Sequence, residues 1–214
     1  MNESDVMVYL MTGFLDSGKT QFLNFTLKQD YFQIDGKTLL ILCEEGEEEY
    51  DPMEMLKYGV VIERVEEQED LTEEWLEEMD KKHEPERVVV EYNGMWKVSD
   101  FESLRLPDGW AIEQKLTTVD ASTFQMYLTN LKPLFVEMVR NAELVLFNRC
   151  EDIKPLAGYR RSVKVVSPQA EVIFEDENGE VENIFEDDVP YDLKAPVIEI
   201  AKEDYGIWYV DMME

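Results

Sequence analysis

The octet from Gly13 to Thr20, G-F-L-D-S-G-K-T, is the feature that most constrains this chain. It fits the phosphate-loop pattern G-x-x-x-x-G-K-[ST] at every fixed position. It lies between an apolar, β-rich run, Val6–Met11, and a segment with helical spacing of apolar residues, Phe22–Leu27. Because a phosphate loop joins a strand to a helix, this context agrees with the motif. The alternative is a glycine turn that binds no ligand.

The residue types of the octet explain how such a loop would bind a nucleotide. Two glycines let the backbone curve around a phosphate, so that successive N–H groups and a helix N-terminus point at the anion. Lys19 would reach the β- and γ-phosphates, and the Thr20 hydroxyl would bind Mg²⁺. The predicted phosphate-binding residues are Gly13, Asp16, Ser17, Gly18, Lys19 and Thr20.

The charge of the chain limits its partners. It has 49 acidic residues against 20 Lys and Arg, a formal net charge of −29. Such a charge repels nucleic acid and anionic membrane surfaces, so we expect neither as a partner. The acidic clusters are interpreted mainly as solvated helix faces and loops.

Cysteine usage and the N-terminus bear on compartment. The two cysteines, Cys43 and Cys150, are more than a hundred residues apart and in no metal-binding spacing, which predicts buried thiols rather than a disulfide or a zinc site. The N-terminus, MNESDVMVYL, has no basic region before its short apolar run, and no run is long enough to span a membrane. We therefore expect a cytoplasmic protein.

Strand-like and helix-like segments alternate along the chain. The predicted strands are Val6–Met11, Lys37–Cys43, Val60–Val65, Arg87–Glu91, Ala111–Asp120 and Glu143–Asn148. The predicted helices are Pro52–Tyr58, Leu71–Lys82, Ser122–Asn141 and Pro155–Ser162, followed by a short strand, Lys164–Val166. This alternation predicts an α/β fold: a doubly wound, mostly parallel sheet with helices on both faces.

The C-terminal part has a different pattern. Asn178-Gly179 predicts a hairpin, and two further strand-like runs, VIEIA and IWYV, lie between Ala195 and Asp211. We predict a nucleotide-binding domain over residues 1–187 and a small β appendage over 188–214, with the boundary between Asp187 and Lys194.

Two acids at predicted strand ends are candidates to support Mg²⁺, either directly or through water. Glu91 follows three consecutive valines, and Asp120 ends the strand KLTTVD. Ligands of doubly wound sheets gather at the carboxyl ends of the strands. An acid directly after a buried strand is costly without a partner, which favours a role for Glu91.

Four segments together resemble the CobW-like family of P-loop GTPases, which is related to the nickel-insertion GTPases of hydrogenase and urease maturation. The family opens with a sequence close to GFLGSGKTTLL, here GFLDSGKTQFL. Its N-E-x-G and E-[ST]-[ST]-G elements correspond to Cys43–Gly46 (CEEG) and Glu91–Gly94 (EYNG). VVSPQA resembles its N-P-x-A segment, so the resemblance extends from about Val6 to Ile173.

The resemblance implies a P-loop nucleotide-binding fold that binds GTP and Mg²⁺, and it implies specific roles. Glu44 would act in the first switch near the metal, although a solvated acid is the alternative. Glu91 would support Mg²⁺ or the attacking water, and the Gly94 amide would sense the γ-phosphate. The predicted catalytic set is Lys19, Glu91 and Asp120, and the predicted metal ligands are Thr20, Glu44 and Glu91.

The base-recognition element departs from the family. In place of N-K-x-D the chain has Asn148-Arg149-Cys150-Glu151. Arg149 has an alkyl stem and a cation like the lysine of N-K-x-D, and Glu151 has the carboxylate of its aspartate on a side chain one methylene longer. GTP is therefore preferred to ATP as the predicted nucleotide. Asp152 could supply the acid instead, and a strand-end turn without base contact is the alternative.

A second departure concerns metals. Metal-handling family members carry a C-x-C-C motif before the E-x-x-G element, but the corresponding segment here, Glu63–Asp70, contains no thiol. Carboxylates prefer harder cations, so a zinc, cobalt or nickel thiolate site is not carried over. His83 precedes Glu84-Pro85 and is predicted to be an exposed loop residue rather than a ligand. The C-terminal domain of longer members also would not fit after Asp187.

The phosphate loop together with the resemblance to this family implies a GTP-binding protein with slow Mg²⁺-dependent hydrolysis that is coupled to a partner protein, in metal or cofactor trafficking. A nucleotide-binding regulatory module with little or no turnover is the alternative. A small-molecule kinase is a third possibility, because a phosphate loop alone does not select the acceptor.

Overall fold

The computed structural model describes residues 6–46, 48–151, 153, 156–181, 198–202 and 208–212, the last two as backbone only. The strands are β1 Val6–Thr12, β2 Thr38–Leu42, β3 Val60–Arg64, β4 Arg87–Glu91, β5 Trp110–Asp120, β6 Leu144–Asn148, β7 Glu171–Asp176, β8 Gly179–Glu180, β9 Ile198–Lys202 and β10 Trp208–Met212. The helices are α1 Lys19–Thr26, α2 Pro52–Met55, α3 Glu73–His83, α4 Val98–Glu102, α5 Phe124–Asn130, α6 Lys132–Val139 and α7 Leu156–Val166.

The main sheet has the order β3-β2-β4-β1-β5-β6-β7-β8. Its first seven strands are parallel, and β8 pairs antiparallel with β7. The predicted doubly wound, mostly parallel α/β fold is therefore confirmed. Every residue of β2 and β4 is buried, because helices cover both faces of these central strands.

Two apolar layers fix the helices on opposite faces of the sheet. On one face, Leu23 and Leu27 pack with Met55 of α2 against the strands. On the other face, α3 to α7 pack on a larger core that includes Phe135 and Phe147. The sheet is thus held from both sides, and its carboxyl edge carries the loops that follow β1, β2, β4, β5 and β6.

The strand register determines which loops meet at that edge. Met11 of β1 lies opposite Glu91 of β4, and Glu91 also lies opposite Leu42 of β2. On the other side of β1, Thr12 lies opposite Thr117 of β5. Glu91 therefore stands between the phosphate loop that follows β1 and the acidic loop that follows β2.

Two predicted elements are wrong. The helix predicted over Ser122–Asn141 is two helices, because Leu131 leaves helical geometry and Pro133, which has no N–H for a continuous helix, lies in the first turn of a new one. The strand predicted at Lys164–Val166 is the last turn of α7. Tyr159 and Val163, four residues apart, are buried against the sheet, and this packing overrides the β preference of the valines.

The C-terminal predictions have mixed outcomes. The predicted hairpin is confirmed as β7–β8, with Glu177 and Asn178 at its turn, and the two C-terminal strand-like runs pair antiparallel as β9 and β10. The predicted boundary at residues 187–194 lies outside the described residues, so the division at 187/188 stays a prediction. None of the helices in the described ranges has the length and hydropathy that a membrane crossing requires.

Candidate nucleotide site

The loop between β1 and α1 has the backbone geometry of an anion cradle. Gly13 and Gly18 have φ values of 144° and 90°, and Asp16 has a φ of 59°, all in the region that favours glycine or short polar residues. A Cβ atom on Gly13 would lie 2.5 Å from Ser17 Oγ and 2.5 Å from the Thr118 carbonyl oxygen. The loop is therefore packed against β5 in a form that only glycine permits at position 13.

Side-chain hydroxyls hold the loop to β5. Ser17 Oγ lies 2.9 Å from Thr118 Oγ1, and Thr12 Oγ1 lies 2.9 Å from Thr117 Oγ1. All four residues are buried. The curvature of the cradle is thus set by contacts of its own residues with the neighbouring strand, before any ligand binds.

Lys19, the first residue of α1, is 3% exposed and turns back over the loop. Its ammonium group donates to the carbonyl oxygens of Gly13 at 2.8 Å and Phe14 at 3.0 Å. It also lies 2.5 Å from Oε2 of Glu44, whose side chain is 9% exposed. The positive charge therefore sits inside the cradle, where a bound phosphate would meet it.

Glu91 is the central acid of the site. It is 3% exposed, and it accepts hydrogen bonds from the Thr20 hydroxyl at 2.6 Å and the Tyr50 hydroxyl at 2.5 Å. Burial raises the pKa of Glu91 above its usual value, although these two hydrogen bonds and the charge of Lys19 oppose the rise. The structure thus brings Glu91 and Thr20 together and gives the acid the partners that its burial requires.

Tyr50 is a site residue that the sequence analysis missed. It is 4% exposed, although it lies in the acidic segment after β2, and burial together with the neighbouring Glu91 raises the pKa of its hydroxyl. Asp51 caps α2 by accepting from the amides of Met53 and Glu54, which fixes the chain directly after Tyr50. The sequence signal for a buried side chain here was a single aromatic residue within an acidic run.

Gly94 lies against the phosphate loop. Its amide donates to Oε1 of Glu44 at 3.2 Å, and a Cβ atom at this position would lie 2.5 Å from the Gly13 carbonyl oxygen. The neighbouring Asn93 donates from Nδ2 to the Cys43 carbonyl oxygen at 3.1 Å. The segment after β4 is therefore joined to both the phosphate loop and the segment after β2.

The oxygen atoms of this edge suit Mg²⁺. The predicted ligands Thr20, Glu44 and Glu91 all line one open cleft of about 120 Å³, together with Lys19 and Gly18. A hydroxyl and two carboxylates are hard oxygen donors of the kind that Mg²⁺ prefers beside nucleotide phosphates. The residues present therefore fit the cofactor that a phosphate loop implies.

Asp120 has different partners from Glu91. It accepts from the amide and hydroxyl of Ser122 at 2.8 and 2.5 Å, and it pairs with Arg149 at 2.5 Å. Burial alone would raise the pKa of Asp120, but these hydrogen bonds lower it below the usual value. Its contacts lie on the side of Arg149 rather than Thr20, and its predicted role toward Mg²⁺ stays a prediction.

The predicted base-recognition residues reach the phosphate loop. Asn148 Nδ2 donates to the Ser17 carbonyl oxygen at 2.8 Å, and a guanidinium nitrogen of Arg149 donates to the Asp16 carbonyl oxygen at 2.9 Å. Glu151 is exposed and borders a groove of about 710 Å³ that Asn148 and Arg149 also line. Asp152, the alternative acid, lies outside the described residues.

The predicted buried, unpaired cysteines are confirmed, because Cys43 and Cys150 are both free and buried. Burial raises the pKa of Cys150 to about 12 and that of Cys43 further, with Glu91 and Glu44 adding to the effect at Cys43. Neither thiol is therefore a ready thiolate ligand. Over the described ranges, no three His, Cys, Asp or Glu side chains form a group that could hold a metal ion.

The prediction of an exposed loop position for His83 is wrong. This residue ends α3, its side chain is 16% exposed, and its Nε2 lies 2.7 Å from Oε1 of Glu63. Lys82 donates to the same carboxylate oxygen. Because β3 runs beside the end of α3, the carboxylate of Glu63 draws the imidazole inward, a tertiary contact that local sequence does not reveal.

Comparisons with known proteins place the chain in a family. The family model described as CobW/HypB/UreG, nucleotide-binding domain, matches residues 7–174. A search among curated proteins gives no significant match. Because the matched residues include the phosphate loop, Glu44, Glu91, Gly94 and the Asn148–Glu151 turn, the family match covers the whole candidate site.

Solved structures show the same fold. The Zn(II)-bound YjiA GTPase from E. coli has a TM-score of 0.60 and 23% identity, over 85% of this chain and 60% of that one. The hydrogenase maturation factor HypB from Archaeoglobus fulgidus has a TM-score of 0.54 and 18% identity, over 81% and 83% of the chains. HypB from Helicobacter pylori in complex with nickel has a TM-score of 0.54 and 11% identity, over 81% and 80%. This protein belongs to the CobW/HypB/UreG family, and residues 7–174 form its nucleotide-binding domain.

Proposed function

We propose that this chain binds GTP with Mg²⁺ and hydrolyses it slowly, and that hydrolysis changes its contact with a partner protein. The observation that carries this proposal is the meeting of Thr20 and Glu91 at 2.6 Å, beside a Lys19 side chain that is 3% exposed. A hydroxyl, a carboxylate and an ammonium group at the start of a helix supply the groups that position a nucleotide triphosphate and its metal.

The chemistry rests on positioning and charge neutralisation. Lys19 would neutralise charge on the β- and γ-phosphates, and Thr20 with Glu91 would hold Mg²⁺ directly or through water. Both oxygens of Glu91 already accept hydrogen bonds, from Thr20 and Tyr50, so this acid is held as a supporting group rather than a free base. Slow intrinsic turnover follows from that arrangement, and acceleration by a partner is part of the proposal.

Guanine is the base that the residues after β6 favour. Asn148 and Arg149 are fastened to the phosphate loop through the Ser17 and Asp16 carbonyl oxygens, beside the exposed carboxylate of Glu151. A carboxylate accepts from the ring N–H and amino group on the guanine edge. Adenine presents an acceptor at the equivalent ring nitrogen, so the same carboxylate would disfavour it.

A role in metal or cofactor trafficking is the part of the proposal that draws on the relatives. Solved structures with the same fold include a zinc-bound YjiA and a HypB in complex with nickel. The segment Glu63–Asp70 of this chain has carboxylates rather than thiols. This favours a harder cation, or a partner protein instead of a metal ion, as what the chain binds and delivers. Leu15, which lines the cleft, and Met95, which follows Gly94, are 45% and 56% exposed and offer apolar contact to such a partner.

A second candidate function is a nucleotide-binding regulatory module without turnover. The full engagement of Glu91 and the pairing of Lys19 with Glu44 favour it, because both groups are held by the protein itself. Release of inorganic phosphate from GTP above background, abolished in a Lys19→Ala variant, would exclude this second candidate.

Titration calorimetry of Lys19→Ala tests nucleotide binding. We expect GTP affinity to fall about 100-fold or more, because the variant loses a charged donor to two phosphates. Lys28→Ala is the matched control: Lys28 lies just after α1 and pairs with Glu54, away from the cradle. Competition between guanine and adenine nucleotides on the wild-type protein tests the base. Unchanged GTP affinity in Lys19→Ala would refute the proposal.

A further inference from the structure

The carboxylate of Glu44 contacts two donors of the phosphate site at once. Its Oε2 lies 2.5 Å from the ammonium nitrogen of Lys19, and its Oε1 accepts from the Gly94 amide at 3.2 Å. The two charged side chains are 9% and 3% exposed. A single carboxylate therefore bridges the end of the phosphate loop and the segment after β4 inside the cleft.

Both donors are expected phosphate contacts, because Lys19 would reach the β- and γ-phosphates and the Gly94 amide would sense the γ-phosphate. Lys19 has three N–H bonds, and its three acceptors in the structure are the oxygens of Gly13, Phe14 and Glu44. The carboxylate is an anion with two acceptor oxygens, like one edge of a phosphate group. The two oxygens of Glu44 thus take the place that two oxygens of a terminal phosphate would have.

The rest of the cradle stays open while Glu44 is in place. Among the described residues, the amides of Asp16 and Gly18 donate to no protein acceptor, so they are free for an inner phosphate. An inner phosphate could bind these amides beside the Glu44–Lys19 pair. A terminal phosphate could not, because it would compete with the carboxylate for Lys19 and Gly94 and would repel it at close range.

We propose that Glu44 is a specificity-determining residue that disfavours a nucleoside triphosphate relative to the diphosphate, since the triphosphate competes with it for both Lys19 and the Gly94 amide, whereas the diphosphate competes for Lys19 alone. This inference rests on the proposed function and deepens it. Expulsion also has a defined structural consequence, because Glu44 and Tyr50 lie on one segment and Tyr50 bonds to Glu91. Triphosphate binding therefore acts on Glu44 and Tyr50 together, whereas diphosphate binding leaves the contact of Glu44 with the Gly94 amide in place.

The test measures one ratio: the affinity for the non-hydrolysable imido analogue of GTP divided by the affinity for GDP. It is determined by calorimetry, both with Mg²⁺ and with EDTA. In Glu44→Gln the bridging charge is lost, and we expect the ratio to rise about 10-fold over wild type with EDTA, where the predicted role of Glu44 as a Mg²⁺ ligand does not contribute. Glu44→Asp keeps the charge but shortens the side chain by about 1.5 Å, so it should raise the ratio as well.

Glu45→Gln is the matched control, because Glu45 is the next residue, is exposed and makes no contact with Lys19. It removes the same charge from the same segment, and we expect its ratio to stay within about 2-fold of wild type. The inference is overturned if the ratio rises equally in Glu44→Gln and Glu45→Gln, or if Glu44→Asp equals wild type. It is also overturned if Glu44→Gln lowers triphosphate affinity in EDTA.

The outcomes separate this inference from the proposed function. If wild type binds both guanine nucleotides and Glu44→Gln leaves the ratio unchanged, the inference fails and nucleotide binding stands. If wild type binds neither guanine nor adenine nucleotides, the proposed function itself fails. Circular dichroism spectra of all variants establish that each is folded before the ratio is compared.

Discussion

The Thr20 hydroxyl donates to Oε1 of Glu91 at 2.6 Å, across 71 positions of sequence. This contact joins the first turn of α1 to the end of β4 and is partly buried. It is possible because β4 lies directly beside β1, with Glu91 opposite Met11. The first two predictions concern the hydrogen bonds and the burial of Glu91.

Tyr50→Phe should destabilise the nucleotide-free protein by about 2 kcal/mol, because a buried carboxylate loses one of its two hydroxyl donors. The measurement is the free energy of unfolding in urea at pH 7.5. In a Glu91→Gln background the same substitution should cost clearly less, because the acceptor is then neutral. A double-mutant cycle isolates this difference.

Tyr58→Phe is the control for that cycle. Tyr58 also lies in the segment between β2 and β3 and packs on the same apolar cluster, and among the described contacts its hydroxyl makes no hydrogen bond. Removal of the Tyr58 hydroxyl should change the free energy of unfolding by less than about 0.5 kcal/mol. Equal losses for Tyr50→Phe in the two backgrounds would show that the hydroxyl does not support the charge of Glu91.

Glu91→Gln should make the nucleotide-free protein more stable, and increasingly so as pH rises. Burial raises the folded-state pKa of Glu91 above its ordinary value of 4.5, so the folded state binds the proton more tightly than the unfolded state. Its contribution to stability is therefore greatest below about pH 4.5 and is lost as pH rises through the folded pKa. Each tenfold difference in acidity corresponds to about 1.4 kcal/mol.

Chemical denaturation of both proteins between pH 5 and 8 measures this difference, and the other acids cancel in the subtraction. A difference in unfolding free energy that is independent of pH would contradict the prediction. The same variant should lose the Mg²⁺-dependent part of GTP affinity, because the neutral amide is a poor magnesium ligand. Stability gained at the expense of binding is typical of a functional acid.

The sequence was sufficient to predict the parallel sheet because its central strands are uninterrupted apolar runs such as TLLIL, each followed by a helix. It favoured Glu91 over Asp120, because Glu91 follows three buried valines, but it could not predict which of the two acids contacts Thr20, since that depends on strand order. The structure places β4 between β2 and β1, which brings Glu91 to Thr20. Asp120, on the other side of β1, meets Arg149 instead.

The contacts of Glu44 and Tyr50 were also beyond the sequence. Both lie in an acidic segment whose composition is typical of a solvated loop. Glu44 turns inward because its carboxylate contacts Lys19 and the Gly94 amide. Tyr50 turns inward because its hydroxyl donates to Glu91. Such contacts arise from segments that are distant in sequence, so no local pattern encodes them.

Gly94→Ala should weaken triphosphate binding and destabilise the fold, by about 2 kcal/mol in stability. The added Cβ would lie 2.5 Å from the Gly13 carbonyl oxygen and 2.8 Å from Phe14 Cα, and these backbone atoms cannot move without deforming the phosphate loop. Gly158→Ala in α7 is the opposite case, because among the described residues the new Cβ would meet no atom within 4 Å beyond its chain neighbours and its own helix backbone.

The control should therefore stabilise the protein by about 0.5 to 1 kcal/mol, because alanine is the better helix former. Thermal unfolding and GTP titration of the two variants measure both effects. Wild-type stability and affinity in Gly94→Ala would mean that the segment after β4 does not pack on the loop as the structure has it.

Arg149→Ala should reduce GTP affinity about 10-fold, because the guanidinium group of Arg149 fastens the residues after β6 to the Asp16 carbonyl oxygen. Removal of the cation also raises the pKa of Asp120, which its hydrogen bond with Arg149 helps to lower. Arg161→Ala is the control, because Arg161 is an exposed residue of α7 that carries the same charge. It should leave GTP affinity within about 2-fold of wild type. Since this chain is strongly acidic, a general electrostatic effect would weaken both variants alike, whereas a specific anchor weakens only Arg149→Ala.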